Sequence, residues 1–384
     1  MRILKCHFSN GSVAAVLIHS ETSCPVFLPL VHTVLFLQGK SYQTSYKTAL
    51  SIKLLYEFFA SIGVNFEEQA ISGQFQPIFK NLDSLIHRLR TNPQNTSPVS
   101  YQEFDFYLRS FKSFLKWLVT RYNKDPNPYF ITVIEERFTS SLLHLPSPPS
   151  EFKSLDDLTV QHLESIILPT SHKNPFRPRT RLRNWLMVEL LLHTGMRSGE
   201  LLNLKVPDIY KDGDSYYVRI RRSTIQEVQV DPRYKKPSIK NLYSIRVVAI
   251  SQLLFMGFEK YLAAGRKKKA SKINHGYLFT SERERPMASN SLSAIFSRIQ
   301  DRLQVEYPDA VTVTPHALRH TFAEKMLRFL LEVKEIDMDR AKDELRNICG
   351  WSATSPMPNL YARRYIALMA NAHNLERINS SFNN

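Results

Sequence analysis

Between Ser140 and Ser150 the chain reads Ser-Ser-Leu-Leu-His-Leu-Pro-Ser-Pro-Pro-Ser. Proline lacks an amide hydrogen and fixes its own φ, so Pro146, Pro148 and Pro149 together block both a continuing helix and a sheet ladder. The residues on either side must therefore bury their apolar faces separately. A chain of 384 residues is long for one core and comfortable for two. The expected organisation is residues 1–138, a linker at 139–155, and residues 156–384.

Each part shows a period. Before the linker, Leu50, Leu54, Leu55, Phe58 and Phe59 recur at helical spacing within Ser41–Ile62, as do Phe106, Leu108, Phe111, Phe114, Leu115 and Leu118 within Phe104–Leu118. Leu82–Leu89 adds a shorter helix, and residues 1–37 read as strand-like or irregular, an extra element or a small arm. After the linker, Asn184–His193 is a strongly apolar helix broken by Gly195, and a helical turn restarts at Ser198. Strand composition follows at Tyr216–Ile220, Ile225–Val230 and Tyr243–Ile250. Helices return at Gln252–Ala264, Ser289–Arg302, Pro315–Leu331, Arg340–Cys349 and Asn359–Ala372. The fold class expected is mainly α with a small antiparallel β-sheet.

Charge narrows the partner. Lys and Arg number 51 against 35 Asp and Glu, a net charge of +16. Residues 1–150 hold 14 basic and 10 acidic side chains, and residues 151–384 hold 37 and 25. The second part thus carries most of the attraction for a polyanion, of which nucleic acid is the commonest. Cys6, Cys24 and Cys349 have no metal-ligand spacing and form no disulfide framework. Arg2 and Lys5 ahead of Val13–Ile18 imitate a signal peptide, but the apolar core is short and no cleavage site follows. No apolar run is long enough to span a bilayer. The cytoplasm is the expected location, with no membrane partner.

The residues that carry chemistry lie after the linker. Thr194-Gly195-Met196-Arg197-Ser198-Gly199-Glu200-Leu201 offers one arginine, and Thr314-Pro315-His316-Ala317-Leu318-Arg319-His320 a second. Gly350-Trp351 and then Leu360-Tyr361 follow. A planar guanidinium donates two parallel hydrogen bonds to a phosphate and keeps its charge, so Arg197 and Arg319 suit a clamp on a phosphodiester that a phenol attacks. Pro315 fits the first turn of a helix, on which His316 and Arg319 would share a face. Taken singly, each residue has a plainer reading. Arg197 with Glu200 is an ion pair, His316 with Arg319 a surface pair, Trp351 a core residue, and His320 a buttress or a partner for a backbone carbonyl.

In this order the boxes resemble the tyrosine recombinase (phage integrase) family. Arg197 matches its first arginine, with Glu200 as the supporting acid. His316 to Ala323 matches its His-x-x-Arg box, Trp351 its Gly-His/Trp position, and Tyr361 its nucleophile, with His316 expected to accept the phenol's proton. Two departures stand out. Tyr361 lies one position further from Trp351 than the pattern has it, with Pro356 and Pro358 between, so Tyr365 one turn on is the competing phenol. Extra residues at Glu332–Lys342 suggest an inserted or lengthened helix.

The resemblance implies a two-domain clamp on double-stranded DNA, with an N-terminal helical core-binding domain and a C-terminal catalytic domain. It implies site-specific recombination through a 3′-phosphotyrosyl intermediate, with no metal and no cofactor. Four protomers would act on two DNA sites, with accessory proteins as further partners, and residues 366–375 would dock on a neighbouring protomer. A hairpin lysine would protonate the leaving 5′ oxygen: Lys240, with Lys236 in reserve. That basic turn also reads as a solvated loop. Further DNA contacts are expected from Arg266, Lys267, Lys268 and Lys269, and from Arg109, Lys112 and Lys116 opposite the aromatics of their helix; the plain reading of both sets is a solvated face. A type IB topoisomerase or telomere resolvase would use nearly the same residues, and a non-catalytic DNA-binding protein the same scaffold. Target sequence and the direction of recombination are not encoded in any motif.

Overall fold

The computed structural model describes the chain except for residues 10–12, 38–39, 41, 92–98, 125–128, 142–153, 225, 228–229, 234–236, 238–241, 267–274 and 383–384. It divides into two compact units, Met1–Pro148 and Pro149–Asn384.

The first unit opens with an antiparallel hairpin, β1 (Arg2–His7) and β2 (Val13–Ile18), in register from Arg2 opposite Ile18 to His7 opposite Val13. The run that imitated a signal peptide is thus a strand, buried from Ala14 to Ile18. A strand covered on both faces reads as a continuous apolar run, which is why its periodicity was silent. Six helices follow a short α1 (Phe27–His32): α2 (Tyr42–Ser61), α3 (Phe66–Ser72), α4 (Gln76–Lys80), α5 (Leu82–Thr91), α6 (Tyr101–Tyr122) and α7 (Tyr129–Ser141). Ser100 caps α6 by accepting from the Glu103 amide. Phe104, Leu108, Phe111, Phe114 and Leu115 of α6 are buried with Leu55 and Phe59 of α2. No single helix among the described residues is long and apolar enough to cross a bilayer, although α2 and α3, bent 97° apart, pass that test together on length and composition.

The second unit is built around α9 (Pro178–Thr194), whose Leu186, Met187, Val188, Leu190 and Leu191 are buried, behind α8 (Asp157–Ile167). Gly195 ends α9 in the left-handed region at φ 58°. An added Cβ there would lie 2.2 Å from the Phe322 ring, so glycine is required twice over. After α10 (Ser198–Asn203) comes a three-stranded antiparallel sheet in sequence order, β3 (Ile209–Asp212), β4 (Ser215–Ile220) and β5 (Arg246–Ile250). Among the described residues the longer helices that follow are α11 (Gln252–Lys260), α12 (Ser289–Glu306), α13 (Pro315–Arg328), α14 (Met338–Cys349) and α15 (Met357–Phe382).

Three expectations need correction. Among the described residues of Ile225–Val230 no strand is present: Gln226 and Glu227 are helical. Thr224 Oγ1 accepts from the Glu227 amide while the Glu227 carboxylate accepts from the Thr224 amide, and this reciprocal capping box outweighs the β-branched composition. The strand expected from Tyr243 starts only at Arg246, because Leu242–Ser244 forms a 3-10 turn. The extra residues at Glu332–Lys342 do not form one continuous longer helix: Glu332 and Val333 end a helical turn and Met338–Lys342 open the next helix. A π turn at Phe329–Val333 closes α13, the chain leaves the helix with Glu335 at φ 52°, and Asp337 starts α14 by accepting from the Asp339 and Arg340 amides. Pro356 and Pro358 flank the first residue of α15, where missing amide hydrogens cost nothing.

Candidate active site

Helix α13 carries the His-x-x-Arg box in its first turns. Thr314 accepts from the Ala317 amide at 3.0 Å and Pro315 takes the first helical position. Arg319 then points inward, only 4% exposed. Its Nη1 donates to the Gly195 carbonyl at 2.5 Å and its Nη2 to the Cys349 carbonyl at 2.6 Å. These carbonyls lie at the ends of α9 and α14, both terminated by a left-handed glycine. Helix C-termini carry the negative end of the peptide dipoles, so two of them converge on one guanidinium. Burial pulls the Arg319 pKa down to about 10, which leaves it charged at neutral pH.

Arg197 occupies the N-cap of α10. Its Nη1 donates to Glu200 Oε1 at 2.8 Å and to Ser244 Oγ at 3.2 Å, and both terminal nitrogens reach the Gly350 carbonyl at 3.3 Å. Glu200 is 1% exposed and also accepts from Arg246 Nη2 at 3.0 Å. Burial pushes its carboxyl pKa up, but Arg246 and Arg197 outweigh this and hold it below the ordinary value. Arg246 continues to the Ile348 carbonyl at 2.7 Å and the Ser244 carbonyl at 2.9 Å. The plain reading of Arg197 with Glu200 as an ion pair is therefore correct, and the pair also belongs to a larger network. Three guanidiniums, from Arg197, Arg246 and Arg319, surround one buried carboxylate. Arg197 and Arg246 both press the Arg319 pKa down, and an anion bound between such charges relieves that repulsion.

Trp351 follows Gly350 directly. Arg319 lies over its indole, 5.3 Å from the ring centroid, and its other neighbour is Tyr361, ring centroids 5.8 Å apart and planes 16° from parallel. Tyr361, 2% exposed, sits in the second turn of α15. Its hydroxyl meets His320 Nδ1 at 2.5 Å, and His320 Nε2 meets His316 Nε2 at 2.9 Å. Burial, and next Cys349, push the phenol pKa up, while Arg319 pulls it back. Tyr365 lies one turn further on, packed at the edge of the same core and facing Glu332.

Sequence-expected residues Arg197, Glu200, His316, Arg319, His320, Trp351 and Tyr361 are thus gathered in one place. Lys236 and Lys240 lie outside the described residues; between them, the Pro237 carbonyl accepts from Asn203 Nδ2 at 2.8 Å. Lys267, Lys268 and Lys269 also lie outside them. Arg266 donates to the Tyr277 and His275 carbonyls, both at 3.2 Å. In the first unit Lys112 and Lys116 share Glu135, and Arg109 stands exposed beside Asp105. Ser244 and Arg246 were not singled out from sequence. The available signal was an arginine next to the Val-Val-Ala-Ile run that has to sit on the inner edge of its strand.

The phage integrase family matches residues 158–362 of this chain. The chain is 27% identical over 197 residues to tyrosine recombinase XerD of Halalkalibacterium halodurans, covering 51% of this chain and 56% of that one. It is 25% identical over 306 residues to transposase A from transposon Tn554 of Staphylococcus aureus, covering 76% of each. The first curated relatives are matched over about half their length. Among solved structures, XerH site-specific recombinase bound to palindromic difH substrate superposes with a TM-score of 0.57 at 16% identity, over 88% of this chain and 80% of that one. The Tn1549 transposon integrase in complex with circular intermediate DNA gives 0.52 at 15%, over 83% and 99%. Both show the same fold.

Proposed function

The chain belongs to the phage integrase family, and on that premise we propose that it is a site-specific DNA recombinase that cuts and rejoins strands through Tyr361. The observation that carries this is the meeting of Arg197, Arg319, Trp351 and Tyr361 from four separate stretches of chain.

Arg197 and Arg319 hold the non-bridging oxygens of one phosphate, and their charge grows in value as the pentavalent transition state gathers negative charge. Trp351 supplies an indole N–H to the same group and keeps the phenol flat against it. Tyr361 attacks phosphorus, forming a 3′-phosphotyrosyl ester and releasing a 5′ oxygen. Lys240, with Lys236 in reserve, protonates that oxygen; what supports this is that Pro237, between them in sequence, accepts from Asn203 at the end of α10, the helix that carries Glu200. The ester conserves the bond energy, so a second strand's 5′-hydroxyl reverses the step without ATP. Positioned side chains supply every charge the reaction needs.

The finer reading is a tetramer on two duplex sites in the cytoplasm, with accessory proteins as further partners. The relatives' names, a transposase and a transposon integrase among them, support a role in mobile elements. The first unit is the core-binding domain, with Arg109, Lys112 and Lys116 offered to phosphates. Residues 139–155 serve as its linker to the catalytic domain. The basic run at 266–269 adds contacts in the second unit. Ile366, Leu368 and Leu375, exposed on α15, fit docking on a neighbouring protomer.

A suicide substrate tests the central claim. DNA from the flanks of the gene, nicked at candidate sites, is incubated with protein and resolved on a denaturing gel. A covalent adduct supports a strand-transfer enzyme. Specific binding without any adduct sinks that reading and leaves a DNA-binding protein on this scaffold. Joined products from two sites, as opposed to relaxed circles, separate a recombinase from a topoisomerase.

A further inference from the structure

A buried phenol must lose its proton as it attacks, and the route for that proton is laid out in the contacts around Tyr361. Tyr361 is buried, His320 is half-buried and His316 is exposed. The hydroxyl lies 2.5 Å from His320 Nδ1, and His320 Nε2 lies 2.9 Å from His316 Nε2. The two histidines are four residues apart on α13, which places them on one face, with ring centroids 4.2 Å apart in an edge-on arrangement. Two ring nitrogens form a hydrogen bond only when one carries a proton and the other does not. One assignment runs the whole line in one direction: phenol O–H to His320 Nδ1, then His320 Nε2–H to His316 Nε2.

We propose that His320 is a catalytic residue of the strand-transfer reaction, the direct proton acceptor from Tyr361, and that His316 is the exit of a two-histidine relay. The inference rests on the recombinase reading above, and it replaces the expectation that His316 itself receives the proton. As the bond from Tyr361 Oη to phosphorus forms, the Oη–H bond breaks and its proton moves to Nδ1 of His320. The Nε2 proton of His320 passes to His316, which becomes the imidazolium. The bond from phosphorus to the 5′ oxygen breaks, and that oxygen takes its proton separately, from the hairpin lysine. Rejoining reverses each transfer, so the relay returns the proton when tyrosinate leaves.

The surroundings fit this role. Arg319 and Glu324 from α13, Cys349 from α14 and Arg364 from α15 face the phenol. The two arginines favour its ionised form, Cys349 and Glu324 oppose it, and burial opposes it most. A base in contact is how a group so placed reacts near neutral pH.

The test is single-turnover adduct formation against pH with wild type, His320→Gln and His316→Gln. The His320→Gln rate should fall about 10²–10³-fold near neutral pH, within the usual range for a lost general base. The deficit should shrink steadily in alkali, and imidazole in the buffer should restore part of the rate. His316→Gln should lose about tenfold, since water replaces an exposed relay exit more readily than a half-buried acceptor. A His320→Gln deficit that is equal at every pH and unmoved by imidazole overturns the proposal in favour of mere positioning. A larger pH-dependent loss in His316→Gln returns the base to His316.

Nitrogen-15 NMR of the free full-length protein decides the point without DNA. His320 should be the Nε2–H tautomer, and its Nδ1 signal should move in Tyr361→Phe. The opposite tautomer, with Nδ1–H donating to the phenol, overturns the relay whether or not the gel shows an adduct. A wild type that forms no adduct but has the expected tautomer supports the proton line and defeats only the recombinase reading.

Discussion

Trp351 and Tyr361 lie face to face, 5.8 Å between ring centroids and 16° from parallel, with the Arg319 guanidinium over the same indole. The indole therefore touches the proposed nucleophile and one of the two proposed phosphate-binding arginines at once. Trp351→Ala should cost about 3–5 kcal/mol in urea unfolding, the usual range for emptying such a site. Trp351→Phe keeps an aromatic face but not the N–H. Its adduct rate should drop by more than its stability does, and equal drops would deny the indole N–H a part in the chemistry.

Tyr361→Phe should abolish the adduct, whereas Tyr365→Phe should retain most of it. Only Tyr361 touches the histidine and indole of the site; Tyr365 faces Glu332. An adduct that survives in Tyr361→Phe and vanishes in Tyr365→Phe moves the nucleophile by one helical turn.

Glu200→Gln leaves Arg246 buried without its carboxylate partner. Breaking one side of a buried pair costs about 3–5 kcal/mol, so a loss near that size is expected at neutral pH. The folded pKa of Glu200 is depressed, so its contribution is complete above the unfolded value of about 4.3 and fades as pH falls through the lower folded one. Denaturant melts of both proteins should therefore converge in acid. A gap that stays constant down to that range would mean the charge is not what stabilises the network.

Gly350 has φ 62°, and an added Cβ would lie 2.6 Å from Arg246 Nη1 and 3.1 Å from the Tyr243 carbonyl. Gly350→Ala should lose about 1–2 kcal/mol from the backbone alone and more from displaced Arg246. The Gly350 carbonyl seats Arg197, so adduct formation should fall as well. An alanine variant with wild-type stability and rate would show that the left-handed turn is dispensable.

His193 pairs with Glu189 at 3.0 Å. That bond to Glu189 raises its pKa, burial works against it, Glu164 adds to the rise and Lys325 opposes it. A raised folded pKa gives stability that is complete below the unfolded value of about 6.5 and is lost as pH rises through the folded one. The pair is partly exposed and worth below about 1 kcal/mol. His193→Gln should therefore melt slightly lower than wild type in mild acid and equally in alkali; a difference that grows with pH contradicts the pairing.

The parts of the site visible in the sequence were those that local spacing encodes. Thr314-Pro315 announces a helix start, His316, Arg319 and His320 fall within one face and its neighbour, and Arg197 with Glu200 spans a single turn. The contacts made by Ser244 and Arg246 were not visible, because their partners are backbone carbonyls far along the chain. No composition or period marks a carbonyl as a ligand. The hairpin strand Val13–Ile18 was ambiguous because an apolar run buried on both faces has no alternation. The strand expected at Ile225–Val230 failed because its β-branched residues conceal a Thr224–Glu227 capping box. The direct role of His320 was hidden for a related reason: a helix places two histidines on one face, and only the packing of α15 decides which of them meets the phenol.

The two carbonyls that seat Arg319 come from Gly195 and Cys349, and a ribosome delivers these residues far apart in time. Until Cys349 and Gly350 emerge, neither guanidinium has its complete seat, and Tyr361 follows them in the chain. A premature stop ahead of Cys349 would leave Arg319 without its Cys349 carbonyl and Arg197 without its Gly350 carbonyl.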